Sequence, residues 1–147
     1  MIVNTAYIYM GSGGGGGEPA NPNLWQNGVS NYPVVFQKGS SISSDGLYLK
    51  KEGGAATFSE VRLTGFNSLT ISMTTKLFID VPIKIEFLNS SDQLLGTETV
   101  TFKGSTSGTP APKTVNIPSS AKIQNAKIRM TNTSKNISAT LFSALLS

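Results

Sequence analysis

Two stretches of strict alternation limit what this chain can fold into. In SLTISMT, Leu69, Ile71 and Met73 fall on one side and Thr70, Ser72 and Thr74 on the other. In PIKIEFL, Ile83, Ile85 and Phe87 alternate with Lys84 and Glu86. A period of two belongs to a strand with one face in a core and the other in water. Around these stretches, YPVVFQ, GLYLKK and AATFS are short strands divided by Gly and Ser. GTETVTF buries Val100 and Phe102, KTVNIP follows, and AKIRMTN turns Ile128 and Met130 inward. SSDQ (Ser90 to Gln93) carries turn chemistry. NISATLFSALLS sets Ile137, Ala139 and Leu141 on one face and is apolar on both from Leu141, the pattern of a central or doubly covered strand. No stretch holds a long helical period with caps. Roughly eight to ten short strands with frequent turns predict an all-β sandwich or barrel. The order of patterns, with a longer loop from Lys103 to Lys113, favours an antiparallel jelly-roll β-sandwich.

The front of the chain reads differently. Residues 1–10 alternate as a strand with Val3, Thr5, Tyr7 and Tyr9 on one face and Ile2, Ala6, Ile8 and Met10 on the other. Residues 11–23 are rich in Gly, Pro and Asn, and Gly13 to Gly17 are consecutive. The run ends in Glu18-Pro19 rather than Gly-Lys-Ser/Thr, so it is no phosphate-binding loop. As a coil these residues span about 20 Å. The division is therefore 1–10 a docking strand, 11–23 a linker and 24–147 the sandwich domain. The expectation is that Val3, Tyr7, Ile8 and Tyr9 dock on a neighbouring subunit by strand addition, because consecutive glycines cost entropy in an ordered loop and serve reach well. The competing arrangement folds residues 1–10 back onto the chain's own sheet.

Chemistry is tightly restricted. With no Cys and no His among 147 residues, the chain lacks the usual general base, thiol nucleophile and commonest metal ligand. Only 14% of residues are charged, and the net charge of +4 comes from scattered Lys and Arg, so no nucleic-acid partner is expected. No window approaches the ~18 apolar residues of a membrane span, and the N-terminus lacks the features of a secretion signal. Asp45 and Glu52 form the best local carboxylate pair, but both sit in turns, SSDGL and KKEGG, so no catalysis is expected.

The stretches LTGFNSLTISMTTK, VPIKIEFLNSSDQLLGTETVTF and KTVNIPSSAKIQNAKIRMTNTSKNISATLFSALL together resemble the galactose-binding-like jelly rolls, the fold of many carbohydrate-binding modules, over about residues 61–146. Such jelly rolls often hold a structural calcium in loop carboxylates; Asp45, Glu52 and Asp92 are the candidate ligands, and no other cofactor is expected. The openings NTAYIYMGSGG and NLWQNG resemble those of small virion-associated proteins of tailed phages and prophages of Gram-positive bacteria. That resemblance implies a non-enzymatic structural or accessory part of a phage particle (capsid decoration, head fibre, tail or baseplate). Its partners would be other virion proteins and copies of itself, and it would be made in the host cytoplasm and released by lysis.

The alternative is a carbohydrate-binding module adhering to host cell-wall or mucosal glycans. Sugar rings stack on aromatic faces while amides orient their hydroxyls, and Trp25, Tyr32 and Tyr48 lie near Asn27 in loop-rich sequence. Against that, a lone Trp is more often a core anchor, with Tyr48 packed inside GLYLKK. The triplets at Asn89, Asn132 and Asn136 read as turn and strand chemistry.

Overall fold

The computed structural model of the chain describes residues 3–6, 21–26, 28–43, 46–74, 79–104, 111–123 and 125–147. Two antiparallel sheets face each other. The first runs in the order β1 (Val3–Ala6), β4 (Val34–Gln37), β7 (Ala55–Arg62), β12 (Asn125–Asn132), β9 (Val81–Leu88) and β10 (Leu94–Phe102). The second follows β11 (Lys113–Asn116), β8 (Ser68–Thr74), β13 (Ala139–Leu146), β2 (Asn23–Gln26) and β3 (Val29–Ser30). In it β6 (Gly46–Leu49) also pairs with β13, and β5 (Ser41–Ser43) pairs with β6. A 3₁₀ turn, Ser119–Ala121, interrupts the strands, and no helix among the described residues is long and apolar enough to cross a membrane. The architecture is the all-β jelly-roll sandwich that the alternation predicts.

Alternation does the packing. Leu69, Ile71 and Met73 from β8 meet Ile83, Ile85 and Phe87 from β9 and Ile128 and Met130 from β12 in one core, all 1% exposed or less. Burying such a side chain contributes about 1.5–3 kcal/mol, so three strands of this pattern supply much of the drive to fold. Trp25, fully buried, joins the same core from β2.

One buried amide ties the layers together. Asn132, 0% exposed at the end of β12, donates through Nδ2 to the Leu49 carbonyl at 3.1 Å and the Ile137 carbonyl at 3.0 Å. Its Oδ1 accepts from the Ser134 N–H at 2.9 Å. Its backbone exchanges hydrogen bonds with the next turn, Gly53 N to Asn132 O and Asn132 N to Gly54 O, both 2.9 Å. Leu49 belongs to the second sheet, so the side chain clamps one end of the sandwich. Each partner left bare in the interior would cost about 1–3 kcal/mol.

The last strand departs from expectation in one respect. β13 is central, but a bulge at Phe142, an extra residue between the Leu141–Met73 and Ser143–Ser72 pairs, shifts the inward side from Ala139, Leu141 and Ser143 to Ala144 and Leu146. A bulge re-aims the side chains that follow it, while Phe142 keeps the outward position that alternation with Leu141 gives it and is 54% exposed rather than doubly covered.

Residues 3–6 also depart from expectation. Val3–Ala6 pairs with β4 of the same chain, Val3 opposite Gln37 and Ala6 opposite Val34. The strand expected to dock on a neighbour thus closes its own sheet edge, which would otherwise present the unpaired backbone groups of β4. Val3 of the expected docking set lies in this strand; Tyr7, Ile8 and Tyr9 lie outside the described residues. A chain beginning at Asn21 is expected to remain a folded monomer but to lose about 2 kcal/mol of stability with the β1–β4 hydrogen bonds. Light scattering and thermal melting check this. Unchanged stability with conversion of a multimer to a monomer would place the N-terminal strand on another subunit.

Candidate functional site

The outward face of the six-stranded sheet carries a groove of about 770 Å³, within the range of small-molecule sites. Two cross-strand rows form its floor. Gln37, Ala55, Thr131 and Lys84 are successive partners across β4, β7, β12 and β9. Arg129 and Glu86 are partners in the neighbouring row. Side chains directly opposite share a face, so inward Ile85, Phe87, Ile128 and Met130 oblige Lys84, Glu86, Arg129 and Thr131 to point outward.

The floor is electrostatically organised. Arg129 Nε donates to Glu86 Oε1 at 3.0 Å, and Lys84 Nζ lies 3.7 Å from the same oxygen. The Glu86 side chain is only 12% exposed. The hydrogen bond from Arg129 is the largest influence on this carboxyl and holds its pKa below the ordinary carboxylate value, outweighing the partial burial that pushes it up. The charges of Arg129 and then Lys84 act in the same direction. Glu86 is therefore an ionised acceptor beside two cations.

Two turns shape the rim at one end. Lys38 (φ 53°) and Gly39 (φ 79°) follow β4, and the Ser40 N–H reaches the Gln37 carbonyl at 3.3 Å. Two positive φ angles in a two-residue turn are ordinarily met by Asn-Gly, so Lys at the first is unusual. Glu52 (φ 63°) and Gly53 (φ 98°) precede β7. The Glu52 N–H is held by the Ser134 carbonyl at 2.7 Å and that of Gly53 by Asn132, so the buried amide clamp also fixes this rim. A Cβ at Gly53 would lie 3.2 Å from Lys38 Nζ; glycine leaves that space to the ammonium. Left-handed non-glycine residues are uncommon and concentrate at functional sites, and two of the four among the described residues border this groove. A smaller cavity of about 440 Å³ continues on the same face, beside Val35, Ser59 and Lys127.

Of the residues singled out from the sequence, Glu52 borders the groove, and the three aromatics lie elsewhere. Trp25 is 0% exposed and its indole N–H has no partner among the described residues, so it presents no face to a sugar. Tyr32 is 9% exposed and donates its hydroxyl to the Asn21 carbonyl at 2.6 Å; burial raises its pKa. Tyr48 is opposite Thr140 on the outward face of the other sheet, its hydroxyl 2.9 Å from Ser138 Oγ. These aromatics do not converge, and Asn27 lies outside the described residues. The calcium candidates do not converge either. Glu52 is bonded beside Ser134, whose neighbour Thr133 bonds Pro82 at the start of β9, and Asp92 is bonded to Asn89 just past its end. Six residues of strand hold them about 20 Å apart, whereas calcium takes ligands at about 2.3–2.6 Å. Asp45 lies outside the described residues, and among those described no three carboxylates form a metal-binding group.

No protein-family model and no curated protein matches the chain. Solved structures do share its fold. A carbohydrate-binding module, CBM36 in complex with calcium and xylotriose, superposes with a TM-score of 0.60 at 15% identity, over 80% of this chain and 94% of that one. An isomalto-dextranase of Arthrobacter globiformis T6, complexed with panose, gives 0.50 at 10% identity, over 98% of this chain and 20% of that one. At these identities the likeness establishes the carbohydrate-binding-module-like jelly-roll fold.

Because the folded-state pKa of Glu86 is lowered, its carboxylate stabilises the fold above the ordinary carboxylate value of about 4.3. That contribution is lost as pH falls through the folded-state pKa. Urea unfolding at pH 6 and pH 3 is expected to show a smaller acid loss in Glu86→Gln than in the wild type. Parallel losses would show that the Arg129 contact does not favour the ionised form.

Proposed function

We propose that this protein is a non-catalytic glycan-binding module that holds a saccharide chain in the groove across its six-stranded sheet. The observation that carries this reading is the floor of that groove. Thr131, Arg129 and Glu86 set a hydroxyl, a guanidinium and a carboxylate on the adjacent strands β12 and β9, about 4.8 Å apart, and Gln37 adds an amide from β4, one strand further across β7. Sugar hydroxyls donate and accept at once, and such a mixed set of planar and hydroxyl partners satisfies them. The fold supports the reading, since the xylotriose-bound module is built on the same sandwich.

The other reading, a virion component, is drawn from the resemblance of NTAYIYMGSGG and NLWQNG and carries an N-terminal strand that docks on a neighbour. Val3–Ala6 pairs with β4 of the same chain, which does not favour docking on a neighbour, and the structural neighbours lend a particle role no support. The glycan reading is therefore preferred.

Affinity electrophoresis and titration calorimetry against xylan, mixed-linkage glucan, dextran and polygalacturonate test it. Binding to at least one polysaccharide is expected. Gln37→Ala and Thr131→Ala should each weaken it about fivefold, the equivalent of one net hydrogen bond, without shifting the melting temperature. Phe142→Ala, on the opposite sheet, should bind like the wild type. Failure to bind any of the four, or loss of binding in Phe142→Ala alone, would overturn the reading.

A further inference from the structure

We infer that the groove takes an acidic polysaccharide, one bearing carboxylate or sulfate groups; this rests on the glycan reading above. Four cationic side chains line the groove, Lys38, Lys84, Arg129 and Lys135, against two carboxylates, Glu52 and Glu86, leaving two positive charges in excess. In a chain whose whole net charge is +4, that excess is concentrated on one face.

The internal pairing leaves cations to spare. At the floor, a single Glu86 oxygen faces both Arg129 and Lys84. At the rim, no Asp or Glu among the described residues comes within the 4.0 Å of an ion pair to Lys38 or Lys135. Arg129 engages Glu86 through Nε, and among the described residues its terminal nitrogens have no protein partner. The guanidinium therefore keeps an edge for a carboxylate or sulfate, whose two oxygens it matches in a fork. The Arg129 side chain is 31% exposed, so an anion reaching it meets less screening than on open surface.

The rim adds a second argument. Lys38 sits in a left-handed turn position that Asn or Gly fills more easily, with Gly53 leaving room for its ammonium. A cation is thus held at the groove despite the backbone preference. A third argument comes from what the lining lacks. Sites for neutral sugars rely on aromatic stacking, and no aromatic side chain lines this groove among the described residues. Charge and hydrogen bonding remain as the means of grip.

The test uses matched polymers that differ in charge alone: polygalacturonate against its methyl ester, and dextran sulfate against dextran. In at least one pair the charged form is expected to bind at least about tenfold tighter at about 20 mM salt, with the gap narrowing at about 300 mM. The double variant Lys38→Gln, Lys135→Gln should lose most of that preference at an unchanged melting temperature. Equal binding of the two forms in both pairs, or preference for the neutral forms, overturns the inference and leaves the glycan reading standing. Failure of all four polymers and of xylan and glucan overturns both. A short DNA duplex bound as tightly as the charged polysaccharide also overturns the inference, since the face would then recognise charge without sugar.

Discussion

The buried side chain of Asn132 connects everything else in this molecule. It sits where β12 ends, reaches across to Leu49 in the other sheet, and holds Ser134 and the Glu52–Gly53 turn in place. A polar group in an apolar core is tolerated only when its hydrogen bonds are met, so the geometry of one end of the sandwich is fixed by the need to satisfy one amide. The rim of the groove is built on that end. Stability and site share a residue that touches neither solvent nor ligand.

From that fixed end, the period-two pattern of the strands does two tasks with one backbone. The residues of β9 and β12 that close the core force their neighbours outward in register. Ile85 and Phe87 bracket Glu86, and Ile128 and Met130 bracket Arg129. The ion pair at the floor is thus positioned by hydrophobic packing on the far side of the sheet. Its exposed atoms remain available to a ligand.

Much of the fold was legible in the sequence because alternation is local. β8, β9 and β12 were readable residue by residue, including which face each side chain takes. The change of phase in β13 after Ser143 was not, because a bulge depends on the partner strand rather than on the strand itself. The groove was illegible for a related reason. Gln37 and Arg129 are far apart in sequence and meet only through the strand order β4-β7-β12-β9, which no periodicity encodes. A weak signal did exist: in a chain this poor in charge, Lys84, Glu86 and Arg129 occupy outward positions of two strongly alternating strands. The aromatics drew attention instead, yet Trp25 anchors the core and Tyr32 is tied down by the carbonyl of Asn21. For residues 1–10, a strand followed by glycines reads the same whether it pairs at home or abroad. Only the unpaired edge of β4 distinguishes the cases, and that edge is a property of the folded sheet.

The most direct measurement is an NMR titration of the labelled protein with a bound oligosaccharide, following backbone amides and the Arg129 Nε–H. Shift changes confined to β4, β7, β12 and β9, with the Arg129 resonance moving in step, are the expected result. Changes centred on Tyr48, Thr140 and Phe142, on the opposite face, would contradict the assignment of the groove.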